Sequence, residues 1–209
     1  MFLSRIQLDT SKRATMIALQ NPSMFHGAIE RAFEPRADRT LWRIDPLYSQ
    51  HYLMLLSEDR PNLDGINAQF GTMAAPETRS YDGLLGRIQP GGRWHFRLCA
   101  NPTYCKMQEG GRGKVCAHNT VQHQCEWLME QSQKHGFSVS PDDFTVVNTH
   151  WYSFRKAAGN NVRLLSVTFE GLLTVTDEQL FRDALTQGIG RGKAYGMGMM
   201  TIVSVQGGG

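Results

Sequence analysis

A chain of 209 residues that is 41% hydrophobic and 20% charged holds enough apolar material for one large core or two small ones. Its net charge of +3 is too small for bulk charge to announce a polyanionic partner, so only local clusters of cations can make that case. No run approaches the roughly 20 apolar residues of a membrane span, and MFLSRIQLD does not read as a signal peptide, so the expectation is a soluble, cytoplasmic protein with no membrane partner.

The opening FLSRIQLD alternates, with Phe2, Ile6 and Leu8 against Arg5, Gln7 and Asp9, which predicts a half-buried strand. A helix follows from about Asn21 to Phe33, capped by Asn21 and with Pro22 in the first turn, where a missing amide costs nothing. At about 100° per residue, Met24, Phe25, Ala28, Ile29, Ala32 and Phe33 form its buried stripe. His26 falls just past the edge of that stripe, with Ser23 and Glu30 on the same polar side, and Arg31 adds a cation. A histidine in that position fits a solvated surface residue as well as a proton-transfer group. Strands over 40–44 and 51–57 and a short helix over 62–70 complete a β-α-β-β-α series.

Gly83, Gly86, Pro90, Gly91 and Gly92 punctuate residues 79–92 and set the expected boundary between a first domain over 1–88 and a second over 89–209. RWHFRLCANP (93–102) reads as a strand, with Trp94, Phe96 and Leu98 alternating against His95 and Arg97. The loop GGRGK, bearing Arg112 and Lys114, leads to a helix over about 120–135 that Gly136 ends. A long hairpin follows, FTVVNTHWYSFRK to VRLLSVTFEGLLTV across the turn AAGNN, then a helix over 177–187 and a strand over 199–205. The second half thus also reads β-α-β-β-α-β. The expected fold is α+β, two tandem ferredoxin-like (RRM-like) domains, an arrangement shared by single-stranded RNA binders and small-molecule enzymes.

Three loops combine glycine or a tight turn with cations. The hairpin tip carries Arg155, Lys156 and Arg163, which suits a duplex groove edge where phosphates of two strands lie within reach, and equally suits a charged tip that stays soluble. GIGRGKAYGMG (188–198) sets five glycines around Arg191 and Lys193. It is neither a Walker loop, since Ala194 follows Lys193, nor G-x-G-x-x-G, and it runs from helix to strand, so a mononucleotide site gives way to a loop lying along a phosphate backbone. A flexible helix-to-strand turn is the alternative. Cys99, Cys105, Cys116 and Cys125 with His118 and His123 lack the C-x-x-C pairs of common zinc sites, so reduced thiols, no metal and no cofactor are expected.

The assembled residues resemble the CRISPR-associated repeat-processing endoribonucleases of the type I-E Cascade complex, the CasE branch of the RAMP superfamily. The resemblance spans essentially the whole chain: the opening strand and His26 helix, FRLCANPT with the following GRGK, the W-L-x(6)-HGF run from Trp127 to Phe137, the basic hairpin ending SVTFEGLLTVTD, and GIGRGKAYGMG. It implies metal-independent cleavage of precursor CRISPR RNA at the 3′ base of the repeat stem-loop, by attack of a ribose 2′-OH that leaves a 2′,3′-cyclic phosphate, with other Cascade subunits as partners. It places His26 as the proton-transfer group, for which an imidazole with an ordinary pKa of about 6.5 is suited. It implies RNA contacts for Arg31, Arg112, Lys114, Arg155, Lys156, Arg163, Arg191 and Lys193. The family carries a tyrosine three residues before this histidine. Here Ser23 stands in that place, which leaves Ser23 itself, water, Tyr195 or Tyr152 to assist, or slow turnover. A non-catalytic RNA-binding subunit is the main alternative, and a small-molecule enzyme a third.

Overall fold

The computed structural model describes residues 1–33, 40–107, 113–155, 159 and 161–205. It divides into two compact units: Met1–Arg87 with Tyr152–Val162 and Lys193–Gly196, and Ile88–Trp151 with Arg163–Gly192 and Met197–Gly209. The tip of the long hairpin and part of the glycine-rich loop, which a single cut near residue 88 would assign to the second domain, group instead with the first unit.

In the first unit, β1 (Phe2–Leu8), β2 (Thr40–Leu47), β3 (Gln50–Ser57) and β4 (Glu77–Ser80) form an antiparallel sheet in the order β2-β3-β1-β4. The first and third strands take the centre and the second and fourth the edges, which is the ferredoxin-like order. Register decides what faces the helices. Ile6 lies opposite Leu53 and Ser4 opposite Leu55, so one face collects Ile6, Leu8, Leu53 and Leu55. Against it pack α1 (Arg13–Gln20), α2 (Ser23–Glu30) and α3 (Asp64–Phe70) through Ala18, Phe25, Ala28, Ile29, Ile66 and Phe70. Each fully buried large apolar side chain there contributes about 1.5–3 kcal/mol.

The helix expected over 21–33 is Ser23–Glu30, and Asn21 does hold its start: Asn21 Oδ1 accepts from the Ser23 amide at 3.3 Å and from Ser23 Oγ at 2.6 Å. Sequence reasoning passed over α1, β4 and a short α4 (Asp82–Leu85). The polar strand β4 exists because β1 offers it a ladder, Phe2 opposite Ser80 through Arg5 opposite Glu77.

The second unit repeats the order. Its strands are β5 (Arg93–Ala100), β8 (Phe137–Ser138), β9 (Phe144–Arg155), β10 (Asn161–Val175) and β11 (Met200–Ser204), in the order β11-β5-β10-β8, with β9 also paired to β10. Trp94, Phe96 and Leu98 alternate inward and share a face with Leu173 and Phe169. Helices α5 (Val121–Lys134) and α6 (Glu178–Gln187) cover that face, Trp127 stacking on Phe169 at 6.3 Å between ring centroids and Phe181 tilting against Phe137 at 5.5 Å. Side chains cap both helices: Thr120 accepts from the His123 amide and Asp177 from the Leu180 amide. Gly136, at φ +70°, closes α5. The segment expected as a plain loop before α5 contains a small hairpin of β6 (Thr103–Lys106) and β7 (Lys114–Ala117). Among the described residues no helix is long and apolar enough to cross a membrane.

Candidate functional site

His26 sits in the middle of α2, one position beyond the buried Phe25, and its side chain is 36% exposed. The helical period explains both facts, since Phe25 and Ile29 define the buried stripe and a 100° step carries the imidazole to its rim. Glu30, one turn on, places Oε1 3.3 Å from His26 Nε2. A substrate atom approaching Nε2 must therefore displace that carboxylate, or use Nδ1. Ser23 faces the same way one turn earlier. Its hydroxyl proton goes to Asn21, which leaves the oxygen able to accept a hydrogen bond. Arg31 is exposed just past the last turn, and its Nη1 lies 3.7 Å from where a side chain on Gly27 would begin, so the guanidinium folds back along the helix. Together with Ala28, Ala32, Asn62, Gly65, Ile66 and Gln69 it lines a cavity of about 240 Å³.

The glycine-rich loop is pinned rather than slack. Gly188, Gly190, Gly192, Gly196 and Gly198 all have φ between +75° and +90°, a region costly to any residue with a Cβ. Backbone bonds close the loop, Ile189 N–H donating to Gly198 at 2.9 Å and Gly198 N–H to Cys99 at 2.6 Å. Arg191 is exposed and its backbone bridges Asn101. The middle of the loop, Lys193–Tyr195, winds into a 3₁₀ turn that belongs to the first unit and lies alongside α2 and β2. What fixes it there is Gly196: a Cβ at that position would stand 2.7 Å from the Trp42 ring. Trp42 is 2% exposed and its ring is 5.8 Å from that of Phe25, the neighbour of His26. The helix with His26 and the turn with Lys193 are thus positioned through two shared aromatic rings.

The hairpin tip reaches the same unit. Phe154 on β9 tilts against Tyr195 with ring centroids 5.4 Å apart, so the inward-facing side of the tip is packed on the 3₁₀ turn. The outward-facing side alternates with it, leaving Trp151, Ser153, Arg155 and Arg163 exposed. Arg155 Nε donates to the Gly159 carbonyl at 3.1 Å, and the Arg163 guanidinium lies over the Trp151 ring, 4.4 Å from its centroid. Lys114 is exposed at the start of β7. Lys156 and Arg112 lie outside the described residues.

The structure therefore brings His26, Ser23, Arg31, Lys193 and Arg155 into one compact unit and places Lys114, Arg163 and Arg191 in the other. Sequence reasoning missed Trp42, Phe154 and Trp151. The first two act through contacts across more than 40 residues of chain, which no local pattern encodes. Trp151 carried a signal, an indole at an outward position of an alternating strand.

His118 and His123 stand 5.8 Å apart between ring centroids, and Tyr104 packs on His118 at 4.9 Å. Desolvation first, then the neighbouring His123, holds the His118 imidazole below its ordinary 6.5. Among the described residues no group of three or more His, Cys, Asp or Glu is arranged to hold a metal ion.

A family model described as CRISPR associated protein matches residues 1–203. The CRISPR-associated endoribonuclease Cse3 of Thermus thermophilus is 26% identical, covering 97% of this chain and 99% of its own length. The CRISPR system Cascade subunit CasE of Escherichia coli K12 is 27% identical over 56% of this chain and 60% of its own length. A solved structure of the Thermus thermophilus Cse3, bound to an RNA representing a pre-cleavage complex, superposes with a TM-score of 0.80 at 24% identity, covering 97% of this chain and 98% of the other.

Proposed function

The chain belongs to the CRISPR-associated protein family, and from that membership we propose that it is an endoribonuclease acting in the cytoplasm. It cuts precursor CRISPR RNA at the 3′ base of the repeat stem-loop and stays with its product as a subunit of the Cascade assembly. The names of its relatives, an endoribonuclease and a Cascade subunit, support this reading. The observation that carries it is a partly exposed imidazole on α2 alongside a turn that bears Lys193 and packs Gly196 against Trp42.

The ribose 2′-oxygen attacks the adjacent phosphorus in line, the P–O5′ bond breaks, and a 2′,3′-cyclic phosphate and a 5′-hydroxyl result. One proton leaves the 2′-OH and one is delivered to the departing O5′. His26 performs one of these transfers, as base at the 2′-OH or as acid at O5′, a role worth about 10²–10⁴ in rate, and solvent water takes or supplies the other proton. When His26 is the acid, Ser23 Oγ, whose own proton is held by Asn21, accepts a hydrogen bond from the 2′-OH and orients it. Lys193 and Arg31, flanking the helix, offset the added negative charge of the pentacoordinate phosphorus. Because acid–base groups and cations suffice for this route, it proceeds without a metal.

Recognition is spread over the remaining cations. Arg155, Lys156 and Arg163 on the hairpin follow the stem, Arg191 lies on the phosphate backbone beside the glycine-rich loop, and Arg112 and Lys114 add a further contact. Each phosphate neutralised steepens the salt dependence of binding.

The test is cleavage of cognate repeat RNA in excess chelator by wild type and by His26→Ala. Wild type should cut, and His26→Ala should bind with similar affinity and cut at least about 100-fold more slowly. Undiminished cutting by the variant, or loss of wild-type cutting in chelator, overturns the mechanism. The serine in place of the family tyrosine favours one second reading, a repeat-RNA-binding subunit without activity. That reading requires binding of the repeat with no cutting by wild type.

A further inference from the structure

The hairpin formed by β9 and β10 carries an aromatic feature that phosphate binding does not use. Of the four tryptophans, Trp42, Trp94 and Trp127 are 2%, 5% and 6% exposed, whereas Trp151 is 38% exposed. A single exposed apolar side chain is unremarkable by itself. This one is covered on its ring by the guanidinium of Arg163, also exposed, 4.4 Å from the centroid. Its nearest same-side neighbours along β9, Thr149 and Ser153, are polar and exposed, which favours a polar partner over an apolar protein surface. Two flat, adjoining surfaces, one aromatic and one cationic, suit another planar π-system, and both indole and guanidinium are surfaces on which nucleobases stack.

We infer that the Trp151–Arg163 pair is a stacking site for an unpaired nucleobase of the bound RNA. The base must be unpaired because a base inside a stem has both faces covered by its neighbours, whereas a flanking or loop nucleotide offers one. Arg163 keeps its edge donors available to that nucleotide's phosphate while its plane lies on the indole, so one residue serves base and backbone. The inference rests on the RNA-processing reading for its ligand class and adds to it a specific contact with single-stranded RNA beside the stem.

Because the other three indoles are buried, Trp151 dominates the solvent-exposed part of tryptophan emission. The experiment titrates the full chain, at low salt, with a short oligoadenylate and with an abasic ribose-phosphate oligomer of equal length and charge. The oligoadenylate should quench the long-wavelength emission and bind about 5- to 150-fold more tightly than the abasic oligomer, the span of one base–aromatic stack. Trp151→Ala should remove both the quench and the affinity difference. Trp151→Phe should keep part of the difference without the fluorescence change, and Arg163→Ala should weaken both oligomers. Equal quenching by the abasic oligomer, or a full affinity difference in Trp151→Ala, overturns the inference. Cleavage of the cognate repeat is scored in parallel. Stacking without cleavage contradicts only the nuclease reading, and cleavage without stacking contradicts only this one.

Discussion

Gly196→Ala tests whether the glycine-rich loop positions chemistry or merely connects two elements. At φ +78° an alanine costs about 1–2 kcal/mol in backbone strain alone. Its Cβ would also stand 2.7, 3.0 and 3.1 Å from three atoms of the Trp42 ring. Ordinary carbon contacts begin near 3.5 Å, so something must move by about 0.8 Å. Trp42 is 2% exposed and packs on Phe25, and overpacking such a ring costs about 1–3 kcal/mol. The turn is the cheaper part to shift, and it carries Lys193 away from α2. A displacement of about 1 Å beside a reacting centre lowers a rate by about 100-fold. Single-turnover cleavage of repeat RNA should therefore fall by about 10- to 100-fold, while a urea melt loses about 2–5 kcal/mol. Gly83→Ala is the control, since a Cβ there meets nothing within 4 Å and its φ lies outside the left-handed region. Cleavage by Gly196→Ala within about twofold of wild type would refute the positioning role, because the strain it introduces is too large to be absorbed silently.

Tyr195→Ala removes the ring that Phe154 packs against and should loosen the hairpin tip, lowering repeat-RNA affinity about tenfold, whereas Tyr195→Phe keeps the ring and should bind and cleave within about threefold of wild type. Equal losses in both variants would assign the effect to the hydroxyl instead. The Arg43–Asp45 pair is bidentate, at 2.7 Å for both bonds, with side chains 2% and 8% exposed. Asp45→Asn removes the Asp45 carboxylate charge from beside that buried guanidinium and should cost about 3 kcal/mol, or about 6–12 °C in Tm; a change below about 1 kcal/mol contradicts that. At the β1–β4 edge, the hydrogen bond and charge of Arg5 hold Glu77 below its ordinary 4.5, and the N-terminal ammonium and Ser80 hold Asp82 below 3.8. The unfolded chain takes up these protons first as the pH falls, so their contribution is present above about pH 4.5 and lost through the lowered values. Urea melts across that window should show stability declining with acid, less steeply in Glu77→Gln/Asp82→Asn. An unchanged slope in the double variant contradicts the assignment.

The parts of the fold that were legible in the sequence are those where burial writes a local period. The alternation of Trp94, Phe96 and Leu98 against His95 and Arg97, and the stripe of Phe25, Ala28 and Ile29, declare β5 and α2 directly. The same stripe places His26 at its rim, where the structure has it. Helix α1 escaped because its buried positions are Thr15 and Ala18, while the apolar Met16 and Ile17 face outward at 47% and 44% exposure. Strand β4 escaped because ETRS is polar throughout and owes its conformation to a partner more than 70 residues away. The glycine-rich loop was recognisable as special, yet its position beside α2 depends on the fit of Gly196 over Trp42, a long-range packing contact. The cations could be enumerated but not apportioned, since which of them share a unit follows from tertiary contacts.

The most direct test of the central claim replaces the ribose at the scissile nucleotide of the repeat with 2′-deoxyribose and weighs the upstream fragment by mass spectrometry. With ordinary RNA the account predicts a 3′ end one water lighter than a linear phosphate, the signature of the cyclic product. With the deoxy substrate it predicts undiminished binding and no cut. Cleavage of the deoxy strand, or a linear 3′-hydroxyl end from the ordinary one, would mean that water rather than the 2′-oxygen attacks, and His26 would lose its assigned part.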